Sequence, residues 1–121
     1  FPQVCSTAVY ELEQTPTNVN LNSTSLPIVI RSPNFPNNYP NNINYTLSIR
    51  SEFDVLLLVL YFRHFNVEFE DICTWDALSL QGVKYCGTWL TGLVIPFSLP
   101  RLRSFTLDFK TDDVVPDSGF E

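Results

Sequence analysis

Glu68, Glu70, Asp71 and Asp76 crowd around Cys73 in the run Phe65-Asn66-Val67-Glu68-Phe69-Glu70-Asp71-Ile72-Cys73-Thr74-Trp75-Asp76, and the pair Asp112-Asp113 follows a strand-like segment nearer the C-terminus. Packed carboxylates repel one another, so such a group sits in solvent, meets a basic partner or encloses a hard cation. Calcium accepts about six to eight oxygens from carboxylates, backbone carbonyls and water. Glu68 at a strand end, Asp76 after the Cys73 turn and Asp112 after another strand are the residues of the right type to converge on such an ion. A solvated acidic rim is the competing reading, and it is the simpler one for Glu70, Asp71, Asp108 and Asp113.

Other chemistries fit less well. His64 is the sole histidine, so any Ser-His-Asp or Cys-His arrangement must use it, yet it lies between Arg63 and Phe65 with no nucleophile signature beside it. One histidine with cysteines suited to oxidation offers no four-ligand zinc set. No glycine-rich loop is present to hold a nucleotide phosphate. Glu68 and Asp76 could pair as glycosidase carboxylates, but that reaction needs a raised pKa against an apolar wall and a sugar cleft, which suits a loop-end cluster in so small a chain poorly. The sequence therefore reads as non-enzymatic.

The elements that must position these residues read as strands. Ser25 to Arg31 carries Leu26, Ile28 and Ile30 in alternation, with Pro27 favouring an edge or a strand start. The Pro- and Asn-rich stretch 32–42 is a connection. Tyr45, Leu47 and Ile49 alternate with Thr46, Ser48 and Arg50; Phe105, Leu107 and Phe109 oppose Thr106, Asp108 and Lys110. The continuous apolar run 55–62 reads as a central strand covered on both faces. Phe65, Val67 and Phe69 fall on one face of the next segment, so Asn66, Glu68 and Glu70 share the other, the two glutamates about 7 Å apart. Ala77 to Leu80 forms a further short strand. Residues 6–15 read as a short turn, and Pro16 with the Asn/Thr-rich stretch to Thr24 argues against its extension. Many short strands with Pro/Asn turns and no long helix point to an antiparallel sandwich.

Composition narrows the partners. The chain has 121 residues and a formal charge of -6, with seven Lys and Arg scattered along it. Without a basic stripe, nucleic acid is a poor partner, and a cationic protein surface is the natural complement. The apolar run 55–62 falls well short of the roughly 20 residues of a membrane span. The chain opens at Phe1 without a signal segment, so a secretory signal is expected to have been removed or to lie outside this sequence. The sequons Asn22-Ser23-Thr24 and Asn44-Tyr45-Thr46 would accept N-glycans outside the cell. Cys5, Cys73 and Cys86 make an odd count. Cys73 and Cys86 flank a stretch with turn signals, a separation suited to a local bridge worth roughly 3 kcal/mol in the chain-entropy model. Cys5 is then a free thiol or the partner of a cysteine elsewhere. Phe35, Trp75 and Trp89 read as core or rim aromatics, although an exposed Trp75 or Trp89 would give a calcium-independent, glycan-binding sandwich its stacking platform.

The ordered set Ser32-Pro33-Asn34-Phe35-Pro36-Asn37-Asn38-Tyr39-Pro40, Phe62 with Phe65-Asn66-Val67-Glu68, Cys73-Thr74-Trp75-Asp76-Ala77-Leu78, Tyr85-Cys86-Gly87, Phe109-Lys110-Thr111-Asp112 and Gly119-Phe120 resembles a CUB domain of the calcium-binding subgroup found in complement and tolloid-like proteases. The resemblance implies a sandwich of two mainly antiparallel sheets with jelly-roll-like connectivity, a core over residues 30–121, and a divergent segment 1–29 packed on or preceding it. It implies a Cys73–Cys86 disulfide. It further implies Ca2+ held by Glu68, Asp76 and Asp112, with Tyr39 orienting the carboxylates and backbone near Asp113 and Val114 completing the shell. The implied role is a secreted or ectodomain interaction module that is not itself an enzyme, whose ion-ordered acidic loops meet a lysine or arginine of an extracellular partner. The chain departs from the family in three places: Cys5 lacks its usual first-disulfide partner, Ser6-Thr7 replaces an early Gly-Gly, and Val114 stands where a Ser or Asn is common. Cys5 is thus a candidate link to another domain or chain.

Overall fold

The computed structural model describes residues 8–21, 27–51, 55–89, 93–100, 104–113 and 115–121. Twelve strands run through them: β1 (Ala8–Glu11), β2 (Thr17–Leu21), β3 (Ile28–Arg31), β4 (Asn44–Ser51), β5 (Val55–Phe62), β6 (Phe65–Val67), β7 (Ala77–Leu80), β8 (Val83–Tyr85), β9 (Gly87–Trp89), β10 (Leu93–Pro100), β11 (Ser104–Lys110) and β12 (Gly119–Phe120). The largest sheet has the order β2-β4-β11-β7-β8; β12-β6-β9, β5-β10 and β1-β3 form the others. Pairing is antiparallel except for β1 with β3 and β2 with β4. The result is an all-β, mainly antiparallel sandwich.

Period-two alternation builds its core. On β11, Phe105, Leu107 and Phe109 are buried and pair across to Ile49, Leu47 and Tyr45 of β4. On the other side Phe109 faces Leu78 and Leu107 faces Leu80 of β7. Phe65 and Val67 of β6, with Phe62 and Phe120, belong to the same core cluster. Its rings meet edge to face, Tyr39 on Phe109 at 4.9 Å and Phe109 on Phe120 at 5.2 Å, an arrangement favoured by the ring quadrupole.

Three sequence readings change. Residues 8–11 are strand rather than part of a turn, and 17–21 form an edge strand in which Val19 and Leu21 are buried. Parallel partners satisfy their backbone groups and override the weak local preference of the Asn- and Thr-rich segment. The run 55–62 is not covered on both faces: Leu57, Val59 and Tyr61 are 61%, 52% and 55% exposed. Finally, β6 ends at Val67, so Glu68 and Glu70 do not continue a shared strand face. Cys5, Asn22, Leu26 and Val114 lie outside the described residues.

Candidate metal centre

Strand ends bring the distant carboxylates together. Glu68 directly follows β6, Asp76 directly precedes β7, and Asp112 lies just beyond β11. The antiparallel register pairs Lys110 with Ala77, which sets the residues flanking that pair side by side. Asp112 N accordingly donates to Asp76 Oδ1 at 2.8 Å. One carboxylate oxygen from each of Glu68, Asp76 and Asp112 lies within 4.8 Å of the others.

Tyr39 ties the group to the core. Its ring is buried, and its hydroxyl donates to Asp76 Oδ2 at 2.6 Å while accepting Glu68 N at 3.1 Å. One hydroxyl thus fixes both the Asp76 side chain and the backbone at Glu68. The loop carrying Tyr39 is held in turn: Tyr39 N donates to Asp117 O at 2.9 Å, Asn42 N to Asp112 O at 2.7 Å, and Thr111 Oγ1 to Pro40 O at 2.9 Å. The Cys73–Cys86 disulfide closes the excursion between β6 and β7 onto the segment joining β8 and β9.

Burial and mutual repulsion dominate the electrostatics. Desolvation, then the charges of Asp76, Asp112 and Asp117, raise the Glu68 carboxyl above its ordinary range. Asp76 is fully buried; desolvation raises it too, opposed by the bonds from Tyr39 and Asp112 N. Desolvation and the bond to Asp76 push the Tyr39 phenol well upward, keeping it a proton donor. Among the described residues Glu68 Oε1 is sealed from solvent and has no hydrogen-bond partner. A buried acceptor of this kind is costly unless a proton or cation meets it. An all-oxygen, acidic donor set of this size can coordinate a divalent cation.

The remaining acids separate from this group. Glu70 Oε1 accepts Thr74 Oγ1 at 2.6 Å, Thr74 N at 2.8 Å and Ile72 N at 3.2 Å, bonds that lower its carboxyl and cap the turn. Asp71 and Asp113 are exposed, and Asp108 accepts Thr46 Oγ1 at 2.6 Å. Asp117 was not singled out from the sequence, yet its charge acts on Glu68 and Tyr39. Its short-range context, Pro116-Asp117-Ser118, carries no strand alternation or pairing signal that would place it there. His64 does meet a hydroxyl, Ser118 Oγ at 2.7 Å, but Asp117 Oδ1 accepts Asn66 Nδ2 at 2.6 Å and Ser118 N at 3.0 Å. Among the described residues no hydrogen bond joins that carboxylate to the imidazole it would have to orient in a triad. Trp89 stacks on Phe65 at 3.7 Å, whereas Trp75 is half exposed. Asn44 is exposed at the start of β4.

The family profile described as CUB domain matches residues 18–121, and the chain belongs to that family. Human cubilin is 32% identical over 101 residues, covering 75% of this chain and 3% of cubilin; this chain is thus a small fraction of such a relative's length. Among solved structures, the full extracellular region of zebrafish Gpr126/Adgrg6 superposes with a TM-score of 0.63 at 20% identity, covering 98% of this chain and 14% of that one. The MASP-1 CUB2 domain bound to Ca2+ superposes with a TM-score of 0.60 at 23% identity, covering 75% and 84% respectively. The chain is accordingly a CUB domain with one disulfide among the described residues. Among the described residues no helix is long and apolar enough to cross a membrane.

Proposed function

We propose that this domain is an extracellular, calcium-dependent protein-interaction module of a larger protein, in which Glu68, Asp76 and Asp112 hold the ion. The observation that carries this reading is the convergence of one carboxylate oxygen each from Glu68, Asp76 and Asp112, with Glu68 Oε1 buried and without a hydrogen-bond partner among the described residues. The 4.8 Å spread of the three oxygens fits within a calcium shell, whose opposite ligands stand about 4.6–5.2 Å apart. The Ca2+-bound MASP-1 domain of the same fold supports the choice of ion. Bound calcium would offset the mutual repulsion of the carboxylates and join three segments that are distant in sequence. Tyr39 orients Asp76, and backbone near Asp113, with Val114 outside the described residues, is the proposed source of further oxygen ligands. Ordering these loops before encounter lowers the entropic cost of binding, and the acidic rim favours a lysine- or arginine-bearing partner. Residues 1–29 are proposed as a divergent segment on a core of 30–121, Asn22 and Asn44 as glycan acceptors, and Cys5 as a covalent link to another domain or chain.

Isothermal titration with calcium tests the ion site. The parent domain should bind, and Asp112→Ala should bind at least about tenfold more weakly because one of three anionic ligands is gone. Absence of binding heat in the parent would overturn the metal assignment. The exposed indole of Trp75 favours a second reading, a calcium-independent glycan reader; selective signal on a glycan array in chelator would promote it.

A further inference from the structure

Unlike β4 and β11, which bury their apolar side chains and turn polar ones outward, the loop between β6 and β7 does the reverse. Phe69, Ile72 and Trp75 are 64%, 70% and 50% exposed. The loop's polar groups meanwhile bond to one another. Glu70 Oε1 accepts Ile72 N, Thr74 N and Thr74 Oγ1, and Glu70 O accepts Cys73 N at 3.0 Å. Single exposed apolar residues are ordinary on a surface, but several large ones on a single short element mark an interaction site.

The loop is also held in place. Cys73 is bridged to Cys86, and a Cβ at the next residue, Gly87, would stand 3.4 Å from Phe69 Cδ1. Phe69 and Cys73 are thus seated on adjacent residues of one segment, which sets the phenyl ring beside the turn that carries Ile72 and leads to Trp75. The loop leaves from Glu68 and returns at Asp76, whose carboxylate oxygens lie within 4.8 Å of each other and of one from Asp112. Its base is the candidate ion site and its tip is apolar. A tip ordered in advance avoids the entropic cost of fixing a mobile loop on binding, and a few large anchors of this kind carry most of the energy of a protein interface.

The charges around the tip select its partner. Asp71 and Asp113 are exposed, and a divalent cation among three carboxylates leaves that site net negative. An anionic lipid surface is repelled by such a rim and a neutral one gains nothing from it, whereas lysines or arginines on a protein match it. A second copy does not, because its seven Lys and Arg are scattered and its net charge is -6. We propose that Phe69, Ile72 and Trp75 form one apolar tip that packs against apolar side chains standing between lysines or arginines on a partner protein. The cationic half of that partner rests on the proposed calcium site; the apolar half does not.

The test titrates the 121-residue chain in calcium with two blocked peptides of about seven residues, one alternating Lys with Leu and the other Lys with Ser, read by fluorescence anisotropy. The peptides carry equal charge, so charge alone gives equal affinity. The parent should bind the Lys/Leu peptide at least about tenfold more tightly, with a blue shift of tryptophan emission that the Lys/Ser peptide does not cause. Ile72→Ser and Trp75→Ser should each erase most of that preference and leave Lys/Ser affinity unchanged, while Ile72→Leu should keep it. Equal affinity for the two peptides, or a preference that Ile72→Ser leaves intact, would overturn the proposal. So would binding to phosphatidylcholine/phosphatidylserine vesicles, or self-association, that Ile72→Ser abolishes, marking a membrane or a second copy as the occupant. A leucine preference that persists in chelator, with Lys/Ser binding unchanged by calcium, would count against the ion site alone and support the tip.

Discussion

Asp76 is fully buried and Glu68 only partly, and the two receive different help. Asp76 accepts from Tyr39 and from Asp112 N, whereas Glu68 Oε1 has no donor. Both carboxyls are raised, desolvation first. A carboxyl raised on folding binds protons more readily in the folded chain than in the unfolded one. The ion-free fold is therefore penalised above the raised pKa, and the penalty is relieved as pH falls through it. In metal-free buffer, Glu68→Gln should melt about 2 °C above the parent at pH 7, and the gap should close on acidification into the carboxylate range. Thermal melts across that range check this; a gap that widens on acidification would contradict the assigned sign. With calcium saturating, the order at pH 7 should reverse, since the parent alone keeps all three anionic ligands. Residue type and motif order made Glu68, Asp76, Asp112 and Tyr39 legible in the sequence. Asp117 was not, because its influence depends on a backbone bond from Tyr39 that no local pattern encodes.

The excursion between β6 and β7 carries Glu68, Glu70, Asp71 and Asp76. Glu70 caps its turn and the Cys73–Cys86 bridge clamps it, with a sequence separation of 13. Replacing both cysteines with serine should lower stability by about 3 kcal/mol, read as a shift in denaturant midpoint. Calcium affinity should fall with it, because Glu68 and Asp76 lie at the two ends of the loosened loop; unchanged affinity would show that Tyr39 alone holds them. Alternation made β4, β11, β6 and β7 legible. It failed at β1 and β2, whose stability comes from parallel partners rather than from their own residues. It failed again at β5, where unbroken apolarity suggested two covered faces, although Leu57, Val59 and Tyr61 remain exposed.

At the scale of the molecule, the net charge of -6 would attract cations with or without a bound metal. Bulk attraction and an ion-ordered site make opposite predictions. Removing calcium makes the domain more negative, so bulk attraction to oligolysine should strengthen in chelator. The proposed site instead requires binding in calcium that is lost in chelator and weakens with added salt. Surface plasmon resonance on immobilised oligolysine separates them, and stronger binding in chelator would remove the ordered-site account.

The sequence by itself determined the all-β class, the inward and outward faces of its clearest strands, and the acidic oxygens available to a hard cation. These follow from residue type and period-two spacing, which act locally. Tertiary structure decided which acids converge: pairing Lys110 with Ala77 brings Asp112 to Asp76, while Tyr39 joins Asp76 to the end of β6. Register and sheet order are set by how distant faces pack, and no local spacing specifies that packing.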